Sequence, residues 1–171
     1  AGSQSKVVAL EGCPQSAAIA RLNLETLKVA QAQVITGAFE TTLEGTLNTL
    51  STLDLVYFDG NHQREATLRY FEQCIAKAGD ETIFVFDDIH WSEGMEAAWA
   101  TIQQHERVTL TIDCGYFACV FFRPEFNGSY FAAQCFQTRV GRFDGFAKVL
   151  RYVSHIGKSN FFGFGLACFE P

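Results

Sequence analysis

The sequence predicts an α/β domain built on a mostly parallel sheet that closes with an antiparallel hairpin. Short apolar runs alternate with longer amphipathic ones as far as Pro124, and the apolar runs up to Asp113 are closed by a glycine or an acid. The last two runs are separated by little more than Cys114 and Gly115. Alternation of this kind marks strands linked by crossover helices, and the final pair marks a hairpin.

The elements follow in order. VVALEG at 7–12 reads as a buried strand ending in an acid. From Pro14 to about Leu27, Ala17, Ala18, Ile19, Leu22, Leu24 and Leu27 recur at helical spacing, and a proline suits the first helical position. QVITGAF at 33–39 is a short strand opening through Gly37, and ETTLEGTLNTL after it is a weaker helix, diluted by Gly45 and threonines. DLVYFDGNH at 54–62 is a strand turning on Gly60. Residues 64–77 form a helix with Leu68, Phe71, Ile75 and Ala78 on one face and Gly79 as its stop. ETIFVFDD is the next strand, and Ser92 caps a helix carrying Met95, Ala98, Trp99 and Ile102. VTLTIDCGYFACVFF supplies the hairpin. Residues 5–124 thus make one domain, and 125–171 a Phe-rich tail without a sustained period, in which only 144–155 looks helical.

With 171 residues and 48% hydrophobic content the chain has room for one packed core. A formal charge of -6 and the lack of any Lys/Arg cluster argue against a nucleic-acid partner and leave a small molecule as the expected substrate. The apolar runs are strand-sized, far short of the roughly 20 residues that span a bilayer. The six cysteines, Cys13, Cys74, Cys114, Cys119, Cys135 and Cys168, contain no CxxC pair. They read as small buried hydrophobes in a reducing compartment, the cytoplasm being expected.

Ligands of open α/β sheets bind beyond the carboxyl ends of the strands, so the residues that terminate the runs matter most. These are Glu11, Gly37 with Ala38, Asp59-Gly60-Asn61-His62, and Asp87-Asp88-Ile89-His90. A carboxylate at Glu11 can accept from both hydroxyls of a ribose, or can simply favour the positive end of the helix that follows. Asp59, Asp87 and Asp88 would lie on adjacent strand ends, where close carboxylates raise one another's pKa or hold a hard divalent ion such as magnesium; they also read as caps and turn acids. His62, three residues beyond Asp59, suits a general base or a helix start. His90 and Trp91 suit a substrate pocket or helix packing, while His105 and His155 have no chemical neighbours in sequence.

The ordered set VVALEGCPQSAAIA, VITGAF, LDLVYFDGNH, TIFVFDDIHW and closing hairpin resembles class I S-adenosylmethionine-dependent methyltransferases, particularly the small O-methyltransferases that include the catechol and caffeoyl-CoA enzymes. The resemblance covers roughly 5–124 and implies a Rossmann-like sheet. By that resemblance Glu11, with Gly12 beside it, binds the cofactor ribose; Gly37, Ala38 and Phe39 border the adenine; and Asp59 reaches the cofactor site. It further implies metal ligation by Asp59, Asp87 and Asp88, the last replacing the family's usual Asn, and places His62 where the metal-dependent enzymes carry a catalytic lysine. The activity implied is methyl transfer to a hydroxyl of a small molecule, with a homodimer as the expected assembly. A nicotinamide-dependent oxidoreductase also uses an acid like Glu11, and a non-catalytic remnant would keep the sheet without the chemistry.

The family's first strand and glycine loop would precede Val7, so the sheet is expected with both missing and with an open edge beside VVALE that another segment could occupy. A chain of this kind alone would bind cofactor poorly and be catalytically silent. GFGLA at 163–167 has only a short likeness to the loop, too short to predict circular permutation. The tail from Glu125 reads as a dimerisation or lid segment, a shifted N-terminal element, or sequence foreign to the domain.

Overall fold

The computed structural model describes residues 6–126 and the backbone of 161–164. The strands are β1 (Val7–Glu11), β2 (Ala32–Thr36), β3 (Leu53–Phe58), β4 (Ala78–Asp87), β5 (Leu110–Asp113), β6 (Phe117–Phe121) and β7 (Phe161–Phe164). The helices are α1 (Pro14–Thr26), α2 (Phe39–Asn48), α3 (Arg64–Ile75) and α4 (Glu93–Gln103). All strands lie in one sheet of order β2-β1-β7-β3-β4-β6-β5. The first five in that order are parallel, and β6 then runs antiparallel to both β4 and β5. The α/β order and the closing hairpin expected from sequence are both present.

Local chemistry accounts for most boundaries. Pro14 opens α1 at its first turn, where a missing N–H costs no helical bond. Ser92 caps α4 by accepting from the Met95 N–H at 3.2 Å. Thr41 and Thr42 both donate from their hydroxyls to the Ala38 carbonyl, tightening the start of α2. The chain leaves α3 earlier than its spacing suggests: Lys77 N–H bonds the Cys74 carbonyl and Ala78 already enters β4, so Gly79 belongs to a strand and does not end a helix. Helix α1 also departs from expectation. Of its residues only Ala17 is buried, and Ile19, Leu22 and the following Leu27 face solvent despite their helical spacing.

The main core lies where α2, α3 and α4 meet the sheet, and it is strongly aromatic. Phe58 and Phe86 stack with centroids 4.3 Å apart and planes at 2°, while Phe84 meets Phe71 and Phe122 edge-on. Burying each such ring fully is worth about 1.5–3 kcal/mol. A second cluster, Leu55, Ile83, Val85, Phe117 and Cys119, occupies alternate positions of β3, β4 and β6 and so belongs to the other sheet face. The stacked pair matters to function, because Phe58 and Phe86 immediately precede Asp59 and Asp87.

Beside β1, where sequence leaves an edge that another segment could occupy, β7 takes the place, parallel to β1 on one side and to β3 on the other. Part of the Phe-rich tail is therefore a central strand. The helix expected at 144–155 and the remaining tail calls fall outside the described residues.

Candidate active site

The carboxyl ends of β1, β2, β3 and β4 carry the residues that sequence singled out, and the two sides of the crevice are built differently. On the β1 side Glu11 is 5% exposed. Its Oε1 accepts from the Cys13 N–H at 2.7 Å, whereas Oε2 is buried with no hydrogen-bond partner among the described residues. A buried carboxylate oxygen left unpaired is costly, and a ligand hydroxyl would satisfy it. Beside it, the Gly37 N–H bonds the Glu11 carbonyl at 3.0 Å and fixes the turn of Gly37, Ala38 and Phe39 against β1. Gly37 has φ 150°, and a Cβ there would stand 2.8 Å from the Thr42 methyl. Among the described residues nothing stands within 4 Å of where a Cβ on Gly12 would be.

On the β3 side, Phe39 packs edge-on against Tyr70 at 5.7 Å and covers Gly60 so closely that a Cβ would fall 2.7 Å from the ring. Asn61 follows with φ 49° and donates from Nδ2 to the Tyr70 hydroxyl, which in turn donates to Glu40. The adenine-side turn expected at 37–39 and the Asp59 turn are thus locked to one another. His62 comes next, with Nε2 3.7 Å from Asp59 Oδ1 and 4.0 Å from Asp88 Oδ2. Burial first, then the charges of Asp87, Asp88 and Glu11, raise Asp59 from its ordinary 3.8 to about 7. Glu11, Asp59, Asp87 and Asp88 consequently act as one electrostatic group, with His62 among them.

Asp87 is differently employed. Its Oδ2 accepts from the Tyr57 hydroxyl at 2.8 Å and its Oδ1 from the Asp88 N–H at 3.0 Å. Asp88 has φ 52°, which turns it out of the strand direction. Among the described residues no group of three His, Cys, Asp or Glu side chains is arranged to hold a metal ion. The metal set expected at Asp59, Asp87 and Asp88 does not fit this arrangement, because Asp87 is directed to Tyr57 and His62 faces the other two.

Sequence reading missed Tyr57. The signal was available: Tyr57 stands two residues before Asp59, hence on the same face of β3, and pairs in register with Val85, two residues before Asp87. Burial and the neighbouring Asp87 push its hydroxyl well above the usual tyrosine range, so it stays a donor. Asp113 was missed as well. It sits 3.0 Å from His90 Nε2, while Glu96 lies 3.3 Å from Nδ1. Desolvation of His90 works against its protonation, but hydrogen bonds and charge from Asp113 and Glu96 outweigh it and raise its pKa. Trp91 beside it is exposed, whereas Trp99 is core. Of the cysteines expected to be unpaired, the buried Cys74 and Cys119 carry free thiols. No helix among the described residues is long and apolar enough to cross a membrane.

An open, mostly parallel sheet with an acid at the end of β1 and a glycine turn at the end of β2 defines a Rossmann-like architecture. Residues 1–89 match the family model described as a methyltransferase domain, and the chain belongs to that family. Among solved structures, cofactor-bound Rv0187 from MTB is similar with a TM-score of 0.58 and 25% identity, over 71% of this chain and 63% of that one. The O-methyltransferase from Bacillus cereus in complex with SAH gives 0.56 and 21%, over 68% and 62%. SAH-bound Podospora anserina methyltransferase PaMTH1 gives 0.58 and 16%, over 71% and 62%. The last two likenesses speak for the fold. The chain spans 62% to 63% of the length of these structures, and no curated protein matches it.

Proposed function

We propose that this chain carries the cofactor crevice and proton-transfer group of an S-adenosylmethionine-dependent O-methyltransferase acting on a small molecule. The observation that carries the reading is Glu11 Oε2, buried at a strand end beside the Gly37 turn and without a hydrogen-bond partner among the described residues. Two ribose hydroxyls would supply the donors it lacks. The SAH held by the Bacillus and Podospora proteins supports the choice of nucleotide.

S-adenosylmethionine, when bound, supplies a methyl group on a sulfonium that needs no further activation. The chain's own residues hold, orient and deprotonate. Glu11 takes the ribose, and Gly37, Ala38 and Phe39 border the adenine, with Phe39 fixed in place by Tyr70. His62 accepts the proton of the acceptor hydroxyl as the oxygen attacks, and the carboxylates of Asp59 and Asp88, at 3.7 and 4.0 Å, stabilise the imidazolium that forms. Asp59 also stands toward the cofactor side, because it leaves β3 level with the point where Glu11 ends β1. Exposed Trp91, next to His90, offers an aromatic surface to an acceptor ring.

Calorimetry with S-adenosylhomocysteine and, separately, NADH tests the reading. Binding of the former alone is expected. Binding of NADH alone would transfer Glu11 to a dinucleotide and remove the methyltransferase assignment.

A further inference from the structure

No ladder joins β1 directly to β3. In the described sheet, every hydrogen-bonded path from the β2-β1 pair to the β3-β4-β6-β5 block passes through β7. Val7, Val8, Ala9 and Leu10 stand level with Phe161, Phe162, Gly163 and Phe164, which in turn stand level with Leu55, Val56, Tyr57 and Phe58. Glu11 and Asp59 follow Leu10 and Phe58 directly. They therefore leave the sheet at one height on either side of β7, separated by two strand spacings, about 10 Å. The chain runs outward from β1 to β2 on one side and from β3 to β4 on the other, so the end of β7 lies at the switch point where open α/β sheets bind ligands.

We propose that Phe161–Phe164 are the central strand of the cofactor crevice, supplied from the C-terminal side of the chain, and that this strand positions Glu11 and Asp59 to act on one ligand. It is a positioning element that reaches the slot between β1 and β3 from later in the chain. Sequence alone offers the tail as a shifted N-terminal element, but a run of four residues is too short for its pattern to mark a strand. The choice of ligand probe rests on the methyltransferase reading, whereas the strand assignment does not.

The test compares the full chain with three variants: deletion of 160–171, Phe162→Pro, and relocation of 157–171 through a Gly/Ser linker to a place ahead of Ala1. Proline removes a ladder N–H from a strand paired on both sides and is poorly tolerated there. Amide exchange in β1 and β3 and calorimetric affinity for S-adenosylhomocysteine are read for each. Deletion and Phe162→Pro are expected to accelerate exchange at Val8 and Val56 at least tenfold and to weaken the affinity at least tenfold, and relocation to restore both. A strand that belongs between β1 and β3 predicts that rescue, whereas a tail that only adheres to the domain does not. Unchanged exchange after deletion, or no rescue by relocation, would overturn the proposal. A full-length dimer that becomes monomeric on deletion would also overturn it, by assigning the slot to a second copy's strand. Exchange behaving as expected while no variant binds the probe would support the strand and count against the cofactor reading alone.

Discussion

Glu11 and Asp59 terminate β1 and β3 at the same height, each one residue beyond a position in register with Phe164. The two carboxylates are sensed across the crevice, since Glu11 is among the charges that raise Asp59. One acid is placed for a sugar and the other for proton chemistry, and the difference between them is environmental. Glu11 keeps a hydrogen bond from Cys13 and is deeply enclosed, while Asp59 stands among Asp87, Asp88 and His62.

Glu11→Gln is expected to weaken S-adenosylhomocysteine binding by about 1 to 3 kcal/mol, the worth of charge-assisted hydrogen bonds to a buried acceptor. The amide oxygen can still accept from the Cys13 N–H, so folding should be retained. Calorimetry beside a thermal melt separates the two effects. Unchanged affinity would remove Glu11 from the ribose.

Asp59 makes stability depend on pH in a defined direction. Its carboxyl is raised from 3.8 to about 7, so over that interval the folded chain holds a proton that the unfolded chain has released. Stability is therefore greatest below the unfolded value and declines as pH rises through the folded one. Asp59→Asn should flatten this part of the Tm profile between about pH 4 and about pH 7 relative to the parent chain. Parallel profiles for the two proteins would mean that Asp59 titrates normally.

Gly60 is required by Phe39 and not by its own backbone angle. A Cβ would lie 2.7 Å from Phe39 Cε2 and 3.0 Å from Cζ, and the ring is held edge-on by Tyr70. Gly60→Ala should cost about 1 to 3 kcal/mol in urea denaturation through overpacking. Adding Phe39→Leu should recover part of that loss, a non-additivity expected of touching residues. Additive costs would place the constraint elsewhere.

The elements legible in sequence were those whose local signals agreed. Pro14 and Ser92 start helices by backbone chemistry that needs no tertiary partner, and the runs ending in Asp59 and Asp87 are bounded by turns written in their own residues. Misreadings arose where long-range packing decided. Leu22 and Leu27 have core spacing but face solvent, and Gly79 looks like a helix stop yet lies in β4. For the site, period two would have found Tyr57, but spacing carries no information on which Asp87 oxygen is already bonded. For that reason the three acids read as a metal set are not arranged as one among the described residues.

His62 is the sharpest test of the chemistry. Its Nε2 lies 3.7 Å from one carboxylate and 4.0 Å from another, too far for tight hydrogen bonds, so the imidazole is oriented electrostatically and left able to accept a proton. It extends from the turn after β3, next to the Gly60 and Asn61 positions that Phe39 and Tyr70 hold in place. Replacing it should therefore disturb deprotonation far more than binding. His62→Ala is expected to lower kcat for methyl transfer to a phenolic acceptor by about 100- to 10,000-fold, the range for loss of a general base. S-adenosylhomocysteine affinity should stay within about twofold, since no ribose or adenine contact is assigned to this residue. The loss should be smaller for acceptors whose hydroxyl is already ionised at the assay pH, because they bring no proton to remove. Radiolabelled methyl transfer across a series of phenols of falling pKa provides the measurement. A uniform loss over the whole series would reassign His62 from base to positioning group.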